Sequence, residues 1–495
     1  MNQKTKRRNV TIALMVATFL AAIEGTIVST AMPTIVSDLG GIKLISWVFA
    51  AYLLTSAITT PIYGKLADLY GRKIIFTIGT IIFLIGSMMS GAAHTMTELI
   101  CFRALQGIGA GAVLPTTFTI IGDIYSFEER AKIQGLFSAI WGISGILGPL
   151  AGGSLVDNIS WRWIFYFNLP FGIASIIMIW IFLQENFEKK KKHIDYLGAI
   201  TFTIGMASLL YAFISAGSIY PWNSWKIIGL LVIAAIALIA FIWIEAKSPE
   251  PMLPLKLFRI REISVSNLAS FLISVILIGI TTYLPMWMQG IFGVGATNSG
   301  LTLTPMSIGW PIGATIAGRL MLKLGSRNTS TMGLVFLIIG STGLAMATIH
   351  TPHWFFVAAM LAVGFGFGFS MTSFTVSVQS AVGWNMRGAA TASNTFVRTL
   401  GQTVGVAILG TLFNNSIASY MTSHASGANN IDMNKLLNPE TARHIPESML
   451  LMMRKGLISG LHNIYLVLLF VAAAGLIVVF FLPKKQQQQI QKKAS

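Results

Sequence analysis

The sequence predicts an all-α integral membrane protein, and three observations lead to that fold class. Only 10% of the 495 residues are charged, whereas soluble globular proteins carry roughly 25%. Hydrophobic residues make up 54% of the chain, and the mean hydropathy is +0.72. The apolar residues fall in runs of about 20, the length that a membrane-spanning helix requires. Lipid offers backbone groups no partner, so such runs form helices, and the alternating pattern of a β-barrel is absent.

Fourteen such runs follow one another along the chain. The first follows a basic start and continues too far, without a small-residue cleavage site, to be a secretory signal, so we expect it to be retained. The predicted spans are 10–32, 45–64, 74–93, 98–119, 133–153, 163–183, 196–216, 227–246, 263–288, 299–318, 329–349, 354–378, 391–413 and 460–482.

The distribution of Lys and Arg predicts the orientation of these spans. An even number of spans places both termini on one side of the membrane. Of the 34 Lys and Arg residues, 25 fall in segments on that side, 7 fall on the other, and Arg103 and Arg398 lie within spans. Cytoplasmic loops retain positive charge, so both termini are expected in the cytoplasm. Topology thus accounts for the net charge of +17, and no nucleic-acid partner is expected.

A repeated segment divides the chain into two related parts. Gly64–Lys73, after the second span, and Gly318–Arg327, after the tenth, share a skeleton of Gly, cation, Leu, Gly and cation. Many secondary transporters consist of two such halves, so we expect two six-helix bundles separated by spans 7 and 8. The predicted division is 1–187 for the N-terminal bundle, 188–255 for the two linker helices, and 256–495 for the C-terminal bundle, with an extracellular loop at 414–459.

Two ionisable residues inside spans are the main candidates for chemistry, because a charge within a membrane is costly and usually functional. Glu24 lies about 21 Å from the cytoplasmic edge of the first span, and Arg103 about 22 Å from the same edge in the fourth. The two side chains can therefore face each other. Glu24 either carries a proton in exchange for substrate or forms a structural ion pair with Arg103, and the spacing leaves both possibilities open.

Other segments have weaker signals. On spacing alone, Gly64–Lys73 is either a gate in which Asp68 changes partner or a solvated turn. The fifth span is rich in Gly and contains Pro149, which suits either a hinge or close helix packing. Residues predicted for a substrate cavity, each with core packing as the alternative, are Tyr52, Gln106, Trp141, Tyr283, Trp287, Trp310, Phe374, Asn394 and Arg398.

Several function classes are disfavoured by the sequence. The Gly-rich runs at 107–111 and 364–368 lie within spans and not after strands, so they do not indicate nucleotide binding. The seven His residues are scattered and there is one Cys, so we expect neither a metal site nor a disulfide framework. No nucleophile and base occur together in a pattern that would indicate an enzyme.

Several segments together resemble the major facilitator superfamily, specifically its fourteen-helix bacterial drug:proton antiporters, which are multidrug efflux pumps. The similar segments are Gly64–Lys73 for the loop 2–3 signature, Leu99–Gly107 for the helix-four proton-coupling motif, Gly145–Gly153 for the helix-five antiporter motif, and Glu24–Pro33 for the first-helix motif. Trp161–Pro170 and Asp195–Gly198 fit the same group.

The resemblance implies a major facilitator fold and alternating-access antiport in the cytoplasmic membrane of a bacterium, driven by the proton gradient without a cofactor and functional as a monomer. Glu24 and Arg103 would couple the proton. The implied cytoplasmic gate consists of Gly64, Lys65, Asp68, Gly71, Arg72 and Lys73. The implied antiporter motif of the fifth helix consists of Gly145, Gly148, Pro149, Gly152 and Gly153.

Departures from the family pattern narrow the expected substrates. The family usually has Asp at the position of Glu24, Asn at Ser29 and Gly at Ser144. Relatives that export divalent cations carry an acid in the tenth span, and 299–318 has none. We therefore expect proton-coupled efflux of lipophilic cationic, zwitterionic or neutral drugs and dyes. The alternatives are a dedicated exporter of a tetracycline-like compound, lipid or metabolite, with or without monovalent cation exchange, a non-transporting scaffold or sensor, and a channel.

Overall fold

The computed structural model describes residues 5–125, 127–185, 195–216, 220–248, 251, 255–383, 386–424 and 433–483. Within the helices, the side chains of a few positions, Lys65 and Asp68 among them, lie outside this description. The regular structure of the described residues is helical, apart from one isolated bridge between Ala216 and Tyr220. The all-α prediction is confirmed.

The α-helices of the described residues follow the predicted apolar runs in order. They are α1 (Arg7–Leu39), α2 (Ile45–Tyr70), α3 (Arg72–Gly91), α4 (Met96–Ile124), α5 (Phe127–Asn158), α6 (Trp163–Tyr166), α7 (Asn168–Phe182), α8 (Tyr196–Ser215), α9 (Trp225–Lys247), α10 (Arg261–Gly290), α11 (Ala296–Ala345), α12 (His353–Ser380), α13 (Arg387–His424), α14 (Pro439–Ala442) and α15 (Glu447–Val479). Short 3-10 helices cover Ile42–Leu44, Leu255–Arg259 and Met433–Leu437.

Twelve helical stretches of the described residues are long and apolar enough to cross a membrane. A multi-pass membrane protein is confirmed, whereas the predicted count of fourteen spans is not. Two helices bear on the difference. The 50 residues of α11 count as one stretch, although the backbone leaves the helical conformation at Gly325 (φ 77°, ψ 166°). The 32-residue helix α5 is not among the twelve.

Several helices extend beyond the predicted spans. The predicted sixth span, 163–183, matches the single apolar stretch Trp163–Phe182, in which α6 and α7 meet at Phe167. Helix α13 continues past the predicted end at 413 to His424, and α15 begins at Glu447 instead of 460. Hydropathy locates only the part of a helix that crosses the hydrocarbon core, and polar turns can extend the same helix beyond that core.

The chain forms two compact units. Unit 1 comprises Met1–Met252 together with Gly295–Thr297. In this unit α4 packs against both α2 and α3, α1 packs against α5 and α7, and α8 pairs with α9. A Cβ at Gly86 of α3 would overlap the backbone of Gln106 in α4. Helix α3 therefore packs closely against the turn of α4 that contains Gln106.

Unit 2 comprises Leu253–Val294 and Asn298–Ser495. Its helix α10 packs against α12, α13 and α15 and is buried along most of its length. The linker helices predicted within 188–255 correspond to α8 and α9, which fall in unit 1. The division of the chain into two bundles and a separate linker pair stays a prediction.

Candidate functional site

Glu24 is a fully buried carboxylate near the middle of α1, with 0% of its surface exposed. Its neighbours Ile23, Ile27 and Val28 are buried as well, so the carboxylate lies in the interior of unit 1. Burying an ionised group costs free energy unless the group is paired and hydrogen-bonded. The partners of Glu24 are therefore the first feature of the site to establish.

Arg103 of α4 supplies the opposite charge. Its side chain is 1% exposed, and its Nη1 donates to Glu24 Oε1. The same Nη1 donates to Gln106 Oε1, one turn further along α4, at 2.7 Å. The guanidinium also lies 4.2 Å from the centre of the Tyr52 ring of α2, a distance at which a cation is attracted to an aromatic face. The structure thus brings together four residues singled out by the sequence.

The second carboxylate oxygen has a partner that the sequence analysis did not identify. Asn168, the first residue of α7, donates from Nδ2 to Glu24 Oε2 at 3.0 Å and to Ser87 Oγ of α3 at 2.9 Å. Ser87 in turn donates to the carbonyl oxygen of Phe165 at 2.8 Å. Both oxygens of Glu24 therefore accept hydrogen bonds from groups on two other helices. A polar residue inside the predicted sixth span was the available signal.

Two buried atoms of this network lack a partner among the described residues. They are Gln106 Nε2, a donor, and Asn168 Oδ1, an acceptor. An ionised carboxylate only accepts hydrogen bonds, whereas a protonated carboxyl also donates one. Asn168 therefore carries a donor that suits the charged form of Glu24 and a spare acceptor that suits the protonated form.

The predicted gate segment lies at the junction of α2 and α3. Gly71 has a positive φ of 96°, a conformation that residues with a Cβ rarely adopt. The backbone nitrogens of Arg72 and Lys73 donate to the carboxylate of Glu185 at 2.7 and 3.1 Å. That carboxylate caps the N-terminus of α3, where a negative charge is favourable. Glu185 was not predicted, and the side chains of Lys65 and Asp68 lie outside the described residues.

The cations of this segment have further partners on neighbouring helices. Arg72 Nη1 is 2.7 Å from Asp123 Oδ2, near the end of α4. Lys73 Nζ donates to the carbonyl oxygens of Trp180 and Leu183, at the end of α7. A cavity of about 440 Å³ adjoins the Arg72–Asp123 pair, so water reaches these charges. Ion pairs exposed to water are weak and can exchange partners at little cost.

The Gly-rich motif of α5 packs against α1. A Cβ at Gly148 would overlap the Thr26 side chain, and one at Gly152 would lie 2.7 Å from Ile27 Cγ1. Gly153 approaches the backbone of Thr297 within unit 1. Gly145 and Pro149 are also within this helix. Close packing thus accounts for Gly148, Gly152 and Gly153, and the hinge stays a prediction.

The aromatic residues predicted for a cavity differ in exposure. Tyr283, Trp287 and Phe374 are buried in unit 2, where Tyr283 packs on Phe413 and Trp287 on Phe356 and Tyr465. Trp310 stacks on Phe367 with 5.2 Å between ring centroids. Trp141 of α5 is 48% exposed. Core packing explains the first three, and substrate contact stays a prediction for all five.

Asn394 belongs to a polar cluster between α10 and α13, and Arg398 lies one turn away on α13. Asn394 is buried, and its Nδ2 donates to Asn267 Oδ1 at 2.8 Å and to Ser270 Oγ at 3.0 Å. Arg398 follows one turn later and is partly buried, and its Nε has no partner among the described residues. Asn267 and Ser270 were not predicted from the sequence.

Comparison with known proteins identifies the family. The model of the Major Facilitator Superfamily matches residues 14–195 and 188–406. The multidrug transporter protein MdtP of Bacillus subtilis (strain 168) is 37% identical over 497 residues, which cover 95% of this chain and 92% of the relative. Multidrug resistance protein 3 of the same organism is 37% identical over 470 residues, covering 93% and 92%.

Solved structures share the fold at low sequence identity. A bacterial homologue of the human lysosomal transporter Spinster, in an inward-facing and occupied conformation, has a TM-score of 0.66 and 17% identity, with 97% of each chain covered. A D-xylose–proton symporter has a TM-score of 0.65 and 14% identity, with 97% of this chain and 99% of the symporter covered. At such identities these likenesses concern the fold alone.

Proposed function

The chain belongs to the Major Facilitator Superfamily, and from the buried Glu24–Arg103 pair we propose that it exports lipophilic drugs and dyes in exchange for protons. The proposed substrates are cationic, zwitterionic or neutral, and the proton gradient drives transport without a cofactor. Two relatives at 37% identity are named as a multidrug transporter and a multidrug resistance protein, which supports efflux of several compounds. The observation that carries proton coupling is a fully buried carboxylate with a buried cationic partner.

The proposed topology has fourteen crossings, both termini in the cytoplasm of a bacterium, and a monomer as the functional unit. A straight helix as long as α11 would extend about 75 Å, far more than a hydrocarbon core of about 30 Å. A division at Gly325 gives two crossings instead of one. Helix α5, with 32 residues, supplies another beyond the twelve candidate spans of the described residues.

Protonation of Glu24 is the proposed coupling step. In the charged form, Glu24 balances the charge of Arg103 and accepts hydrogen bonds from Arg103 and Asn168. A proton neutralises the carboxyl and leaves Arg103 as a buried cation without its counter-ion, which costs about 3–5 kcal/mol. The protonated protein is therefore expected to shift towards a conformation in which Arg103 gains other contacts or water. A cationic substrate that approaches Glu24 competes with the proton for the same charge.

Asn168 is proposed to accommodate both forms of Glu24. Its Nδ2 donates to the charged carboxylate at 3.0 Å. A half-turn of its amide group would present Oδ1, which has no partner among the described residues, to the O–H of the protonated carboxyl. The proton could then bind without leaving an unpaired donor in the interior.

The junction of α2 and α3 is the proposed cytoplasmic gate. The Arg72–Asp123 pair and the Glu185 cap tie this junction to the ends of α4 and α7. Each contact is partly exposed to water and is individually weak, so a conformational change can break and remake them. The roles of Lys65 and Asp68 in this gate rest on the family resemblance alone.

Ethidium flux in proteoliposomes under an imposed proton gradient tests the proposed function. Wild type should accumulate the dye against its gradient, and Glu24→Gln, which cannot exchange a proton at this site, should not. The matched control is Glu129→Gln, the same substitution at a half-exposed carboxylate, and it should retain transport. Gradient-driven uptake that survives Glu24→Gln would place the coupling carboxyl elsewhere. Downhill dye movement that ignores the proton gradient would indicate a channel.

A dedicated exporter is the second candidate function, and the relatives supply the observation in its favour. A transporter of the acurin A biosynthesis cluster of Aspergillus aculeatus is 32% identical over 421 residues, covering 82% of this chain. Competition distinguishes the two candidates. Several chemically unrelated compounds should inhibit ethidium flux through a multidrug pump, whereas a dedicated exporter should respond to one class.

A further inference from the structure

Arg398 is a cation within the predicted span 391–413, and the described residues of unit 2 include no counter-ion for it. It lies eleven residues after the start of α13, about 17 Å along the helix. Its Nε is buried and has no hydrogen-bond partner among the described residues. A guanidinium in such a place is ordinarily paired with a carboxylate.

Among the described residues of unit 2, no acidic side chain forms an ion pair with Arg398. Unit 2 contains four acidic residues, Glu262, Asp432, Glu440 and Glu447. Glu262 is the second residue of α10. Glu447 is the first residue of α15 and follows the end of α13, which is 26 residues beyond Arg398, whereas the side chains of Asp432 and Glu440 lie outside the described residues.

Glu262 is also separated from Arg398 in depth. Helices α10 and α13 meet where Asn394 donates to Asn267. Glu262 precedes Asn267 by five residues and Arg398 follows Asn394 by four, so the two charges lie on opposite sides of this contact. Their backbones are about 13 Å apart along the helices, and no ion pair joins the two side chains.

Arg398 lies on the face of α13 that packs against α10. Asn394, four residues earlier, bonds to α10, and a Cβ at Gly401, three residues later, would overlap the carbonyl oxygen of Phe271 in α10. Residues spaced three and four apart share one side of a helix. We therefore place Arg398 on the side of α13 that contacts α10.

Polar groups of α10 extend along this contact surface. Asn267, Ser270 and Ser274 follow one another at helical spacing, and all three are buried. Asn267 Nδ2 and Ser274 Oγ have no partner among the described residues. Helical spacing places them and Arg398 Nε on the same contact surface, so we infer a set of buried donors beside a positive charge. Such a set is complementary to an anion.

We propose that Asn267, Ser270, Ser274, Asn394 and Arg398, the anion subsite, bind a carboxylate of the transported compound. A guanidinium fits a carboxylate through paired charge-assisted hydrogen bonds, and neighbouring hydroxyl and amide groups can donate to it as well. The preferred substrates are then amphoteric lipophilic molecules that carry an acid group beside a cationic one. This inference rests on the proposed export function and narrows its substrate class. The subsite lies too deep for the phosphate of a lipid headgroup at the membrane surface.

Two dyes that differ in one carboxylate test the subsite. Tetramethylrhodamine has a free benzoate and is a zwitterion, whereas its methyl ester carries the same cationic ring without the acid. Dissociation constants are measured by fluorescence anisotropy with full-length protein in nanodiscs. We expect wild type to bind the free acid about 10- to 100-fold more tightly than the ester, as a charged hydrogen bond predicts. Arg398→Leu should lose this preference while its affinity for the ester stays within about twofold, and Arg398→Lys should retain part of it.

The outcomes separate the subsite from the proposed function. Equal affinity of wild type for the two dyes, an absence of binding to either, or an equal loss of both in Arg398→Leu would overturn the anion subsite. Affinity for the ester serves as the folding control for each variant. Proton-driven uptake of the ester in proteoliposomes, with the membrane potential collapsed, tests the export function independently. Preferential binding of the acid without any proton-driven uptake would keep the subsite and refute antiport.

Discussion

Removing one member of the buried Glu24–Arg103 ion pair should lower the free energy of unfolding more than removing both members. Arg103→Met leaves Glu24 as a fully buried carboxylate without its cation, so the free energy of unfolding should fall by about 3–5 kcal/mol. Glu24→Gln leaves the cation of Arg103 unbalanced, with a loss of similar size. In the double variant no charge remains. The main loss is then the donor to Gln106 Oε1, worth about 1–3 kcal/mol.

These variants form a double-mutant cycle, measured as the free energy of unfolding of the purified protein in mixed micelles. The coupling energy between Glu24 and Arg103 should be at least about 3 kcal/mol. The control is a second cycle on Arg7 and Glu129, an Arg–Glu pair at 3.5 Å with side chains 57% and 47% exposed. Its coupling energy should be about 0–1 kcal/mol. If the buried pair gave a value in that range, the argument that desolvated charge dominates this site would be refuted.

Three further substitutions test individual contacts of unit 1. Asn168→Leu removes the donor to Glu24 Oε2. It should lower the free energy of unfolding by about 1–3 kcal/mol and slow proton-driven ethidium uptake. Unchanged uptake would exclude Asn168 from proton coupling. Gly71→Ala places a Cβ at φ 96°, which should cost about 1–2 kcal/mol in the same unfolding measurement, and a neutral effect would contradict the observed backbone. Glu185→Gln weakens the cap of α3, so hydrogen exchange at the amides of Arg72 and Lys73 should accelerate, and unaltered exchange would argue against that cap.

The features that the sequence predicts well, such as the apolar helices, are determined by residues close together in the sequence. Apolar runs of sufficient length identify membrane helices because the bilayer acts on each run separately. The rise of a helix likewise predicted that Glu24 and Arg103 lie at the same depth. Their contact requires in addition that α1 and α4 turn the correct faces towards each other, and hydropathy contains little information about rotation when nearly every residue of a span is apolar.

The residues that the sequence analysis missed depend on contacts between distant segments. Asn168 and Ser87 are 81 residues apart, and each alone resembles an isolated polar residue in an apolar run. Glu185 comes after a predicted span and resembles an ordinary solvated loop acid. It nevertheless caps α3 by accepting from the backbone nitrogens of Arg72 and Lys73, which precede it by 113 and 112 residues. No local pattern distinguishes such a cap from an ordinary charged turn. The count of spans likewise depends on a single residue, because a kink at Gly325 determines whether α11 crosses the membrane once or twice.

The two arginines inside predicted spans differ in whether their own unit supplies a carboxylate partner. This difference distinguishes proton coupling, proposed for Arg103, from substrate selection, proposed for Arg398. Arg103 is paired with Glu24, a carboxylate that can bind a proton, so protonation of Glu24 determines whether Arg103 has a counter-ion. Arg398 has no carboxylate within reach in the described residues of unit 2, so its need for an anion is constant. Changes at Glu24 should therefore alter how transport depends on the proton gradient, whereas changes at Arg398 should alter which compounds bind. If both arginines served packing alone, neither change would have a selective effect, because a loss of packing lowers the binding and transport of every substrate together.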